Sequence, residues 1–477
     1  MNIAPASSAK GRRVFFVTLL AALLALGGQA ALLALGGQAA QARSSFEAPD
    51  PDYHGEIKGS PVTGTAILAG SEVNLDGRGF TPGQQITLSR GGVALNPDAA
   101  YVADAQGNFK ATIRIPEDAA PGQHPIVIST AQPSGAAVFP LKVSPVVPLS
   151  GVDGYSLTSV KLVPGLYQVD ISGKSGALFV TSAVGRPPVK VSQLLKLDPK
   201  DLSIERQITP AAAQGEDAGV YAVYGVAVDD RNGNVWTTNT RQNTVAVYRQ
   251  SDLGLVKQFE PGIVSHAHTV VVDEKLDRAF ASAAITPDII SFDAKAPALR
   301  KHITIESGVR GERFAVVGMH LDPAVHKLYA VSMKTNEAAV IDAKTETVEK
   351  VFPLQGAKTP MGVAHDPQTD RLFITAQGSD NLLIVDAKTG KTLHNVTTGA
   401  GALNVAFDPV KRLAYVTNRG AGTLTVVDPD GNIKANLELG TFPNQAVVDA
   451  KGVVYAVNKA KGQDDAEGDR ITRVMAK

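Results

Sequence analysis

The stretch Asn404–Leu439, NVAFDPVKRLAYVTNRGAGTLTVVDPDGNIKANLEL, decides the fold. It holds four short apolar runs: Asn404–Phe407 reads as an inner strand, Leu413–Thr417 as a second, Thr423–Val427 as a third and Ile433–Leu439 as an outer one. Asp408-Pro409 stops the first run and Asp428-Pro429-Asp430-Gly431 the third. In such turns the Asp side chain accepts backbone N–H groups while Pro ends the ladder. A four-stranded unit of this kind buries its two faces only against copies of itself.

Copies stand on either side. First-strand aspartates recur at Asp229, Asp273, Asp322, Asp366, Asp408 and Asp449, spaced 44, 49, 44, 42 and 41 residues apart. A second mark follows twenty positions after each of four of them, at Asp293, Asp342, Asp386 and Asp428, and Arg249 takes that place after Asp229. A period of about 40–50 residues built from short strands predicts propeller blades. The aspartates fall on one rim, one per turn, so they are turn caps and not paired acid–base catalysts.

A divergent unit precedes these, with strands Tyr167–Ile171, Ala177–Thr181 and Ser192–Leu197 ending at Asp198-Pro199. The last unit has Gln445–Val448, Val453–Val457 and Arg470–Val474, and then the chain stops one strand short. Tyr155–Leu162 precedes the first unit with nothing to pair to. Joining it to the last unit closes a ring of seven and removes two open sheet edges.

The rest of the chain divides by composition. Residues 1–42 read as an export signal: Lys10-Gly-Arg-Arg13, an apolar run from Val14 to Leu26, and small residues closing at Ala40-Gln-Ala42, where cleavage is predicted. The nine residues ALLALGGQA at Ala22–Ala30 are repeated at Ala31–Ala39, a run whose alternative reading is a retained anchor. With no cysteine among 477 residues, neither a lipidated Cys nor a disulfide is available. Formal charge is zero overall, and losing the signal removes three bases and no acid. Nothing in that balance advertises a polyanion partner.

After a linker at 43–59, residues 60–145 carry alternating runs: Val62–Leu68, Glu72–Leu75, Gln84–Ser89, Ala100–Ala103, Phe109–Ile115, Pro125–Thr130 and Ala137–Val143. About seven strands in under 100 residues predict an antiparallel sandwich. His124 falls in a turn between two of them and is expected in solvent. A second linker at 146–154 leads to the propeller at 155–477. The expected fold is therefore all-β: a β-sandwich followed by a seven-bladed β-propeller.

Two resemblances add to this reading. Tyr415-Val-Thr-Asn418, with its variants Trp236-Thr-Thr-Asn239, Phe373-Ile-Thr-Ala376 and Tyr455-Ala-Val-Asn458, resembles the signature of the YVTN-repeat propellers. Gly165-Leu-Tyr-Gln-Val169, Lys196-Leu-Asp-Pro199, Phe442-Pro-Asn444 and Asp469-Arg-Ile471 are similar to the periplasmic YncE-like branch of that family. In the N-terminal module, Gly79-Phe-Thr-Pro-Gly83, Asp104-Ala-Gln-Gly-Asn-Phe109 and Pro121-Gly-Gln-His124 resemble bacterial Ig-like modules. The family resemblance implies a periplasmic protein that binds single-stranded DNA.

In a propeller the second-to-third and outer-to-inner loops gather at one end of the channel. The long loops Ala183–Lys190 and Lys459–Asp469 belong to blades that meet at the closure, so they are expected side by side. Near the channel mouth the strand starts place Tyr167, Tyr224, His268, Met361, Leu403 and Asn444, with His266 just before; Arg186, Lys190, Arg241, Arg310, Arg313, Lys334, Arg419, Lys459 and Lys461 lie on the surrounding loops. Aromatics within a basic rim suit a nucleic-acid single strand through stacking and phosphate neutralisation. Acids share that end: Glu216, Asp217, Asp288, Glu312, Glu337, Asp380, Asp464, Asp465 and Glu467.

Other chemistry is sparse. His266-Ala-His268 offers two ligands and no third, so no metal or cofactor is expected, and His320, His326 and His365 read as structural. Gly173-Lys-Ser175 and Gly390-Lys-Thr392 lack the earlier glycine of a phosphate loop. No Ser/His/Asp arrangement stands out. The expectation is a monomeric, exported, non-enzymatic binding protein for single-stranded DNA. Two alternatives are a scaffold for peptides or envelope proteins and a lactonase-like hydrolase.

Overall fold

The computed structural model describes residues 53–214 and 218–477. The predicted export signal, most of the first linker, and Glu216 and Asp217 therefore lie outside the described residues. Among those described there is no α-helix, only two single 3₁₀ turns at Val152–Gly154 and Thr240–Gln242, and no helix is long and apolar enough to cross a membrane.

Seven four-stranded antiparallel sheets follow one another, six in simple meander order and the seventh completed by a strand that precedes Leu166. Their inner strands are Leu166–Ile171, Val223–Asp229, Ala267–Asp273, Val316–Asp322, Pro360–Asp366, Ala402–Asp408 and Pro443–Val448, here numbered blades 1 to 7. Each packs on the next, and the seventh packs on the first. The sheets form a propeller.

The predicted closure is present. Tyr155–Lys161 forms the outer strand of blade 7, pairing Arg470 with Lys161 and Ala476 with Tyr155. Both chain segments thereby lose an open edge.

The apolar core lies between blades. Phe179 and Leu194 of blade 1 pack on Val226 and Val235 of blade 2, and Trp236 of blade 2 on Phe292 of blade 3. The seam between blades 7 and 1 is filled by Tyr455, Val457 and Ile471 against Leu166, Leu178 and Leu195. Middle strands are buried on both faces, as in Asn234–Asn239, while outer strands such as Ala298–Thr304 are mostly exposed. That is why the middle strands read as unbroken apolar runs.

The repeated aspartates cap turns as expected. Asp408 Oδ1 accepts Val410 N at 2.8 Å and Lys411 N at 3.0 Å; Asp366, Asp386 and Asp449 do likewise in their own turns. Several also tie blades together. His326 Nδ1 lies 2.6 Å from Asp273, His365 Nδ1 3.0 Å from Asp322, and Arg412 Nη2 2.7 Å from Asp366, each bond running from one blade to its neighbour.

The N-terminal module consists of a three-stranded sheet, Glu56–Pro61, Glu72–Arg78 and Phe109–Arg114, and a second sheet built from Gln85–Arg90, Gly122–Ala131 and Gly135–Val143 with two short edge pieces. Val73, Leu75, Ile86, Leu88, Ile126 and Ile128 fill one core between them. Two expectations need correction. The first strand, Glu56–Pro61, begins inside the predicted linker, and Val62–Ala66 is a bend whose Thr65 is used elsewhere. His124 stands within a strand, half-buried, with Nε2 2.7 Å from the Ala120 carbonyl.

The module rests on the loop end of the propeller. Lys142 Nζ reaches Asp380 at 2.7 Å and the Gln377 carbonyl at 2.8 Å in blade 5, Thr65 Oγ1 donates to the Gly420 carbonyl in blade 6, and Lys461 Nζ in blade 7 donates to the Gly64 carbonyl at 2.8 Å. The segment between the domains is held too, because Asn436 Nδ2 donates to the Val147 carbonyl at 2.9 Å.

Candidate functional site at the channel mouth

Every inner strand slips register near its start. The slips fall between Leu166 and Val169, Val223 and Val226, Ala267 and Val270, Val316 and Gly318, Pro360 and Gly362, Ala402 and Asn404, and Pro443 and Gln445. A bulge re-aims the side chain of its extra residue. The bulged positions hold Tyr167, Tyr224, His268, Met361, Leu403 and Asn444, the residues expected at the mouth, with Val317 in blade 4.

A bulge also frees a backbone N–H, and the Thr of the YVTN-type stretch takes it. Thr417 Oγ1 accepts Asn404 N at 3.2 Å, Thr375 Oγ1 accepts Gly362 N at 2.9 Å, and Thr238 Oγ1 accepts Gly225 N at 2.7 Å. The hydroxyls of Thr238 and Thr375 then donate to the next blade, to the His268 carbonyl at 3.0 Å and the Leu403 carbonyl at 2.9 Å. Blades approach so closely here that a Cβ on Gly225 would lie 2.3 Å from the His268 carbonyl, and one on Gly318 2.1 Å from that of Met361. Glycine is dictated at both positions.

The channel is a cavity of about 340 Å³ walled by inner strands, including Tyr167, His268, His320, Met361 and Asn444. At its mouth Tyr167 meets Tyr224 edge-on at 4.8 Å and stands 6.1 Å from the His268 ring, its hydroxyl 3.4 Å from His268 Nε2. Burial holds His268 and His320 in the neutral form down to about pH 4. Burial, then the nearby Tyr224, raise the Tyr167 phenol, so it remains an O–H donor.

Three cations surround the tyrosines. Arg241 Nε donates to the Tyr224 hydroxyl at 3.2 Å. Arg419 Nη1 donates to Asn444 Oδ1 at 2.8 Å, Asn444 in turn donates to the Tyr167 carbonyl at 2.6 Å, and the guanidinium lies 4.6 Å from the Phe442 ring centre. Lys459 Nζ sits 5.7 Å from the Tyr167 ring centre and 3.3 Å from the Ala183 carbonyl, which brings the two long-loop segments together at the seam. Burial first, and the Arg419 charge second, pull Lys459 below its ordinary pKa; burial does the same to Arg419. Among the described residues no carboxylate forms an ion pair with any of the three. Asp380 is engaged by Lys142 and Glu312 by Lys334, while Asp469 caps the backbone of Gly165.

The remaining predicted residues divide. His266 stands beside the group, with burial first and Arg241 second lowering its pKa. Arg186 and Lys190 are exposed on the blade 1 loop, whose Pro187 and Pro188 line a surface hollow with Arg241, and Arg313 is exposed on the loop into blade 4. Lys461 turns away to the N-terminal module. No group of three or more His, Cys, Asp or Glu side chains is arranged for a metal among the described residues. Sequence reading missed Phe442 and the cover that the N-terminal module lays over blades 5 to 7. Between that cover and the propeller lies an open cleft of about 510 Å³ lined by Lys142, Phe139, Arg419 and Phe442.

No family model matches the chain. It is similar to the uncharacterized protein YncE of Salmonella typhimurium, 24% identical over 322 residues that cover 65% of this chain and 88% of that protein, and to its counterpart in Salmonella typhi at 23%. Among solved structures it is similar in fold to the β-propeller domain of Myceliophteria thermophila Cps50 (TM-score 0.51, 10% identity, 67% of this chain and 98% of that one). It is also similar to streptogramin B lyase (TM-score 0.52, 13% identity, 69% and 100%). These likenesses extend to the propeller fold alone.

Proposed function

We propose that the protein is an exported, non-catalytic binding propeller whose ligand is a nucleic-acid single strand, engaged on the loop face with the channel mouth as anchor. The observation that carries this is the convergence of Arg241, Arg419 and Lys459 on Tyr167 and Tyr224, with no carboxylate in ion-pair contact with any of the three among the described residues and Asp469 the acid nearest Lys459. Exposed Arg186, Lys190 and Arg313 on the uncovered blades extend the positive path for a backbone. The tyrosines pack against each other, so phosphate neutralisation contributes more than stacking. The N-terminal sandwich is taken as an Ig-like module that shields blades 5 to 7 and restricts approach to blades 1 to 4. A gel shift with single-stranded oligonucleotides at rising salt tests this reading. Binding that weakens steeply with salt and is lost in Arg241→Gln with Arg419→Gln supports it, and unchanged mobility at low salt removes it.

A second reading, a scaffold for envelope proteins, is favoured by one feature. On the outward face of the sandwich Val127 pairs directly with Val138, and they are 40% and 61% exposed. Cross-linking with Val138→Asp as the control separates the two readings, since that change leaves strand binding untouched.

A further inference from the structure

We propose that the channel mouth is a pocket for a phosphate monoester, held between Arg241, Arg419 and Lys459 above the Tyr167–Tyr224 pair. This rests on the mouth being the binding end of the propeller and does not require that the ligand be a strand.

The donors are already in place and underused. Arg241 spends only Nε, on the Tyr224 hydroxyl, and Arg419 only Nη1, on Asn444; no other hydrogen bond is made by either guanidinium among the described residues. Lys459 makes one bond, at 3.3 Å, leaving two of its protons free. The Asn444 bridge and the Phe442 ring fix the plane of Arg419, and the Tyr224 hydroxyl fixes Arg241, so little side-chain freedom is lost on binding. A guanidinium held this way presents two parallel N–H groups to two oxygens of one anion.

Charge selects the class. Burial lowers the pKa of both Lys459 and Arg419, and at Lys459 the Arg419 charge adds to it while Asp469 offsets part of it, so the group gains from an incoming anion. A carboxylate or an internal phosphodiester brings one negative charge, whereas a phosphate monoester brings about 1.5 to 2 near neutral pH together with three acceptor oxygens. The monoester therefore comes closest to matching three cations. Shape agrees with this. Contacts of the N-terminal module at Gly420 and Lys461 lie on one side of the mouth, which leaves approach from the other side and favours a group at the end of a molecule.

The test is calorimetric titration of the full exported chain, in a phosphate-free buffer at low salt, with three probes: inorganic phosphate, a 5′-phosphorylated oligothymidylate, and the same strand with a 5′-hydroxyl. Phosphate is expected to bind and to compete with the phosphorylated strand, which should bind about tenfold or more tighter than the hydroxyl strand. Arg241→Gln, at an exposed position that does not endanger folding, and Lys459→Gln should each weaken phosphate by about tenfold or more. Binding of phosphate alone, with neither strand bound, keeps the pocket and removes the strand reading. Equal affinity for the two strands keeps strand binding and overturns the pocket. Absence of phosphate binding, or affinity unchanged in both variants, overturns it outright.

Discussion

Replacing both channel histidines, His268→Gln with His320→Gln, should remove a large part of the acid sensitivity of this protein. Each has its folded pKa lowered by burial from 6.5 to about 4. The stabilisation is therefore complete above pH 6.5 and is lost as pH falls toward 4, because the unfolded chain takes up protons that the folded channel refuses. Between pH 7 and pH 4.5 the linkage relation gives a loss of roughly 2–3 kcal/mol per histidine, about 5 kcal/mol for the pair. Asp170 works against them. Burial raises it from 3.8 to about 6, despite hydrogen bonds from Val228 N and Ile171 N, so its contribution grows as pH falls through 6. Over the same interval it returns about 2 kcal/mol. Urea denaturation at a series of pH values measures the difference. The double variant should keep about 5 kcal/mol more of its pH 7 stability at pH 4.5 than the parent does, and Asp170→Asn should deepen the parent's loss by about 2 kcal/mol. Parallel stability curves for parent and double variant would refute the argument, since they would mean the channel admits protons as freely as water does.

Three further outcomes follow from the packing. Thr375→Val leaves the buried bulge N–H of Gly362 without an acceptor and should cost about 1–3 kcal/mol in denaturant titrations, while Thr375→Ser should stay near the parent; equal stability of all three would deny the hydroxyl its role. Asp380→Ala strands Lys142 and the Gly401 N–H together, weakening the domain contact by about 3–5 kcal/mol; limited proteolysis within residues 146–154 should accelerate, and an unchanged digestion pattern would show that the contact holds nothing. Truncation before Arg470 deprives Tyr155–Lys161 of its partner, and the exposed edges should drive association visible by size-exclusion chromatography; a monodisperse monomer would contradict the closure argument.

The blades were legible because turn chemistry is local: an Asp that caps its own turn must sit at a fixed offset from the strands it separates, as Asp408 does with Val410 and Lys411. The closure was legible from arithmetic, one strand missing at one end and one spare at the other. Strand starts were legible, but the bulges that aim Tyr167, Tyr224 and His268 leave no mark in hydropathy. Thr417 and Thr375 in the YVTN-type stretches are their one trace in sequence. Docking of the N-terminal module was invisible, since it depends on Thr65, Lys142, Asp380 and Lys461, polar residues far apart in the chain with nothing local to pair them. The same polar choice misled the first strand: Glu56–Pro61 buries only Ile57, so its alternation was fainter than that of the following bend.

The seam in blade 7 also sets a timetable. Tyr155–Lys161 leaves the ribosome early, yet its sheet partner, Arg470–Ala476, follows some 309 residues after Lys161. At about 5–20 residues per second that is a wait of roughly 15 to 60 seconds. Through that interval the nascent chain carries a strand with no partner to pair with, and the circle cannot shut before Arg470–Ala476 has been made.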